Sequence, residues 1–80
     1  MISAFILVNV DMGAEEEVLK EVQKLPDVKE AYFVYGVHDI VAKVEGETVD
    51  TIRKNVFSKV RLMDKVRVTH TMIITEGFSR

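Results

Sequence analysis

Two periodicities alternate along the chain. From Ile2 to Val10 the residues are almost continuously apolar, bounded by Asp11 and Gly13. A β-branched run of that length predicts a strand buried on both faces, hence a central one, with Asn9 as its polar exception. Ala14 to Leu25 switches to helical spacing, with Val18, Leu19, Val22 and Leu25 on one narrow apolar stripe. Glu15, Glu16 and Glu17 fall in the first turn, where the helix dipole favours carboxylates. Glu16 and Lys20 are spaced as an i,i+4 pair in the better order, and Pro26 ends the helix.

Val28–Val34 and Ile40–Val44 are short runs rich in β-branched and aromatic residues, separated by Tyr35-Gly36-Val37-His38-Asp39. That pattern predicts a β-hairpin, in whose turn Gly36 can take φ > 0 without a Cβ penalty and lets a ligand approach the backbone closely. Tyr32 and Val34 fall on one face, Ala31, Phe33 and Tyr35 on the other, and Glu45-Gly46-Glu47 closes the second strand. Val49, Ile52, Val56, Phe57 and Val60 again recur at helical spacing behind Thr48, a good N-cap. After the connector Arg61–Lys65, the segment Val66–Thr75 alternates as a strand. Val66, Val68, His70, Met72 and Ile74 are expected on one face and Arg67, Thr69, Thr71, Ile73 and Thr75 on the other. Glu76–Arg80 is a short tail.

The order β-α-β-β-α-β predicts an α+β fold of the ferredoxin-like kind: a four-stranded antiparallel sheet with two helices on one face. Two short helices cover one side of such a sheet. Neither the even set Ile2, Ala4, Ile6, Val8, Val10 nor the odd set Ser3, Phe5, Leu7, Asn9 is hydrophilic. The second face is therefore expected to be an interface, with two copies packed sheet to sheet as a dimeric α+β barrel-like homo-oligomer.

Composition sharpens this. With 80 residues and no cysteine, the chain is one domain, residues 1–80, with no disulfide or thiolate zinc site to reinforce a small core. Oligomerisation is the remaining way to stabilise it. A net charge of −2 with interspersed signs offers no basic stripe for nucleic acid, and two histidines are too few for a protein-only metal site. The apolar start is too short to span a bilayer and has no basic leader, so a cytoplasmic protein without membrane attachment is expected. No cofactor motif is present, and no serine or cysteine nucleophile, phosphate loop or paired zinc-binding histidines suggests catalysis.

The turn carries the candidate chemistry. Gly36 and Asp39 bring backbone N–H donors close to a carboxylate, which matches the ammonium and carboxylate of a free amino acid. Thr69 and Thr71 share a strand face and carry hydroxyls. The last strand and the hairpin turn are not expected to be adjacent within one copy, so a site joining them forms between subunits. The plainer reading is that Gly36 and Asp39 serve only the turn, that Thr69 and Thr71 are ordinary strand formers, that His70 belongs to an apolar layer, and that His38 is an exposed turn residue.

Ala31-Tyr32-Phe33-Val34-Tyr35-Gly36-Val37-His38-Asp39-Ile40-Val41-Ala42-Lys43-Val44 resembles the strand, G-x-x-D turn, strand signature of the regulatory RAM domain of the Lrp/AsnC transcription regulators. Val66–Ile74 resembles that family's closing T-x-T strand. The resemblance implies an amino-acid effector and assembly into dimers and onward to octamers of four dimers. It implies an effector loop of Gly36, Val37, His38 and Asp39, with Thr69 and Thr71 from a neighbouring strand, while Tyr35 beside the turn is placed to line a pocket. No helix-turn-helix segment precedes the first strand, so a stand-alone regulatory domain is expected, acting without direct DNA contact, with full-length regulators of the same fold as candidate partners. Two departures stand out: the connector Met63–Val66 lacks the family's usual glycine, and His38 occupies a position often aromatic or otherwise polar. Against this reading stand a small cofactor-free enzyme on a dimeric α+β barrel and a purely structural oligomer.

Overall fold

A computed structural model describes residues 1–80. The strands are β1 (Ile2–Val10), β2 (Val28–Phe33), β3 (Ile40–Gly46) and β4 (Val66–Ile73), with α1 (Glu15–Gln23) after β1 and a second helix, α2 (residues 49–61), after β3. The sheet is fully antiparallel in the order β2-β3-β1-β4, so the apolar first strand is central, as its composition predicts.

Both helices lie on one side. Ala4, Ile6, Val8 and Val10 of β1 and Ile40, Ala42 and Val44 of β3 are buried beneath Val18 and Val22 of α1 and Ile52, Val56, Phe57 and Val60 of α2. Every buried side chain is apolar, so the core makes no polar demand. The odd residues of β1 point the other way and remain partly exposed.

α2 departs from a uniform helix. It starts at Val49–Ile52, widens into a π-helical turn at Arg53–Phe57, and returns to α geometry at Ser58–Arg61. Thr48 caps it as predicted, its hydroxyl accepting the Thr51 N–H at 3.0 Å. The wider turn is invisible to hydrophobic spacing, because i→i+4 and i→i+5 bonding bury nearly the same residues.

Two expectations are corrected. Val66 lies on the helix side, not with Val68 and His70, because a bulge between Asn9 and Val10 shifts the register and sets Val66 opposite Val10. Lys20 does not pair with Glu16; Lys24 pairs with Glu21 instead, at 3.3 Å on the exposed face. The missing connector glycine is not needed, since the turn closes through Val66 N–H to Met63 O at 3.1 Å and Asp11 N–H to Lys65 O at 2.8 Å, with no residue there at positive φ.

Gly46 ends β3 where α2 crosses closest. A β-carbon there would stand 2.9 Å from Ile52 Cγ1, inside contact distance. Gly46→Ala is therefore expected to destabilise the domain by about 1–3 kcal/mol through overpacking, read as a lower urea midpoint at unchanged slope.

Candidate functional site

The five residues of the turn fold back onto the end of β1. Gly36 has φ +149°, a backbone conformation strained for any residue with a β-carbon, and nothing lies within 4 Å of where that carbon would be. Asp39 N–H donates to Val8 O at 2.9 Å, its carbonyl accepts from Val34 N–H at 3.0 Å, and its carboxylate accepts from Val10 N–H at 2.9 Å. Asp39 thus closes the hairpin and clamps it to the central strand, with one carboxylate oxygen, Oδ2, committed to that bond. Tyr35 and Val37 are left almost fully exposed, with no apolar surface of the same copy to cover them.

Two residues outside the predicted set belong to the arrangement. The Asn9 side-chain amide donates to Val37 O at 2.8 Å, while its carbonyl oxygen lies 2.6 Å from His38 Nδ1. The His38 ring in turn meets His70 of β4 nearly edge-on, with centroids 5.2 Å apart at 79°. The turn therefore does reach the last strand within one copy, contrary to the expectation that the two are separate. His38 spans the distance by crossing the end of β1. Asn9 was legible as the lone polar residue near the end of an apolar strand; the approach of His38 to His70 was not, because it depends on the turn folding back.

Thr69 and Thr71 occupy a different place. They sit opposite Val8 and Ile6 and so face the helix side, whereas His70, opposite Leu7, faces the open side. One copy does not bring these hydroxyls together with His38. Nor does it enclose a cavity at the turn: its two concavities, of about 250 and 210 Å³, lie beside α1 against Met63–Lys65 and against Val28–Ala31.

The open face surrounds the turn's inner edge. Across it run Tyr32, Val41, Phe5, Leu7, Val68, His70 and Met72, from β2 to β4. Tyr32 donates its hydroxyl to Glu30 at 2.7 Å, and this bond, reinforced by the carboxylate's charge, raises the phenol above its ordinary value and keeps it protonated. No three His, Asp or Glu residues gather as a metal site, and no helix is long and apolar enough to cross a membrane.

An antiparallel sheet helix-covered on one side, with Phe5, Leu7, Val41, Val68 and Met72 among Lys43, Glu45 and His70 on the other, and a glycine–aspartate turn clamped to its central strand, defines a ferredoxin-like α+β domain. The Lrp/AsnC ligand binding domain model matches residues 3–80, and the chain belongs to that family. An HTH-type transcriptional regulator of Pyrococcus abyssi is 31% identical over 83 residues, covering 99% of this chain and 52% of the regulator. The chain thus spans about half the length of the curated relatives it matches. Among solved structures, FFRP-DM1 is 40% identical with a TM-score of 0.88, covering 94% of this chain and 100% of that one. A Thermus thermophilus protein, TTHA0845, is 28% identical with a TM-score of 0.92 and matches along the whole of both chains. At the level of fold alone, a Neisseria meningitidis transcriptional regulator solved with L-Met superposes at a TM-score of 0.86 with 17% identity, over 99% of this chain and 53% of that one.

Asp39 supplies the acceptor for Val10 N–H. Asp39→Ala is expected to cost about 1–3 kcal/mol by leaving that part-buried donor unmatched. Asp39→Asn, which keeps a carbonyl acceptor, should recover most of the loss in parallel urea titrations.

Proposed function

We propose that this domain binds a free amino acid at the Tyr35–Asp39 turn, in a cleft completed by another copy, and acts as an effector-binding and oligomerisation module for transcription regulation. The observation that carries the reading is the turn itself. It is rigidly clamped through Asp39, yet it presents the Gly36 backbone and the Tyr35 and Val37 side chains to solvent. A loop held this firmly with its apolar side chains bare is a surface awaiting an occupant. The turn's backbone N–H groups suit a ligand carboxylate, and its carbonyls suit an ammonium.

Membership of a ligand-binding family supports an effector, and the L-Met held by the Neisseria regulator supports an amino acid as its chemical class. Thr69 and Thr71 enter the site only from a neighbouring subunit, since within one copy they face away from His38. A copy packed face to face on the open layer keeps its own Thr69 and Thr71 on its helix side, so these hydroxyls come from the further association of dimers. If the face-to-face copy covers about 800 Å² per subunit, burial at about 25 cal/mol/Å² releases roughly 20 kcal/mol. Association costs of roughly 4–15 kcal/mol leave a surplus. Dimers that associate further, alone or with full-length regulators of the same fold, are the assemblies this surface serves. The curated relatives are named as regulators, in line with a non-enzymatic role.

A thermal-shift screen of the twenty amino acids tests the reading. At 100 times its Kd the effector is expected to add about 2.7 kcal/mol, a clear rise in Tm. No shift with any amino acid would remove the sensor reading and leave a structural oligomer.

A further inference from the structure

We propose that Asn9 is the positioning residue of the effector turn, and that it makes His38 a hydrogen-bond acceptor for an N–H group of the bound ligand. The inference rests on the turn being the effector site and deepens that reading.

It follows from which atoms donate and which accept. The Val37 carbonyl has only lone pairs, so the Asn9 atom 2.8 Å from it is the amide NH₂. The other terminal atom of Asn9 is then the carbonyl oxygen, itself an acceptor only. His38 Nδ1, 2.6 Å from that oxygen, must carry the proton. In the neutral ring this leaves Nε2 with an unshared pair, and Nε2 has no hydrogen-bond partner within the chain.

One amide therefore holds two consecutive turn residues, one by its backbone and one by its ring, and selects one of two tautomers. Asn9 stands on β1 between Val8 and Val10, both buried and both bonded to Asp39, so the amide projects from a strand paired on both edges. The His38 ring is steadied on a second side by His70. A ring fixed this way meets an ammonium or amide N–H favourably and meets a carbonyl or carboxylate with lone pair against lone pair. An amino acid bearing N–H groups is thus selected over the same molecule with its nitrogen fully methylated.

Two measurements test this. Imidazole ¹⁵N spectra of the ligand-free protein at alkaline pH are expected to show His38 as a single Nδ1–H tautomer. Asn9→Ala, which removes the acceptor opposite Nδ1, should lose that signature. The second measurement titrates the amino acid giving the largest thermal shift, and its N-trimethyl form. Asn9→Ala should bind the amino acid at least tenfold more weakly. His38→Phe, which keeps a ring without a lone pair, should narrow the preference over the trimethyl form severalfold.

A wild-type ring that is mixed or Nε2–H while an amino acid still binds would overturn this inference alone. Unchanged affinity in Asn9→Ala would do the same, as would an unchanged preference in His38→Phe. A ring with the expected tautomer in a protein that binds no amino acid would overturn the effector reading, and the ligand selectivity with it.

Discussion

Burial on one side only is the constraint from which the rest of this structure follows. The two helices seal the even residues of β1 and their β3 neighbours, and that layer is wholly apolar. Nothing in the chain seals the opposite layer, although Phe5, Leu7, Val41, Val68 and Met72 lie across it. In so small a domain one helix-covered layer is a modest core, and the free layer is the largest remaining source of hydrophobic stabilisation. Self-association, as proposed above, would draw on that layer and give the rim of the sheet a neighbour.

The turn occupies that rim because of how β1 ends. Val8, Asn9 and Val10 each give the turn a hydrogen bond: a backbone acceptor to Asp39 N–H, an amide to Val37 and His38, and a backbone donor to the Asp39 carboxylate. Three successive residues of the central strand thereby hold a loop that Gly36 allows to bend sharply. Rigidity of this kind lowers the ordering cost of binding, since the loop need not be arranged when a ligand arrives. His38 extends the arrangement to β4, so the turn and the uncovered layer of the sheet share a contact.

Much of this was legible in the residues and some was not. Hydrophobic period located both helices and all four strands, because each element's apolar face is set by one dominant partner layer. The central position of β1 followed from its lack of a polar side. The bulge beside Val10 was not legible: it moves Val66 across the sheet through a single-residue register change that alternation cannot register. The π turn at Arg53–Phe57 was hidden for a related reason, since the spacing from Ile52 to Val60 suits either hydrogen-bond pattern. At the site, Gly36 and Asp39 stood out by type and spacing. The partnership of Asn9, His38 and His70 spans three elements that are distant in sequence, and it emerges only when the turn doubles back. Thr69 and Thr71, chosen for their hydroxyls and shared face, lie on the side of the sheet away from His38, so one copy does not bring them to the turn.

The most direct test of one-sided burial is the mass of the assembly in solution. Sedimentation equilibrium at micromolar concentration should return twice the chain mass of 9.1 kDa or a higher multiple. Leu7→Lys, which places a charge at the middle of the open face, should shift that mass toward a single chain. A wild-type protein sedimenting as a 9.1 kDa particle would contradict the account.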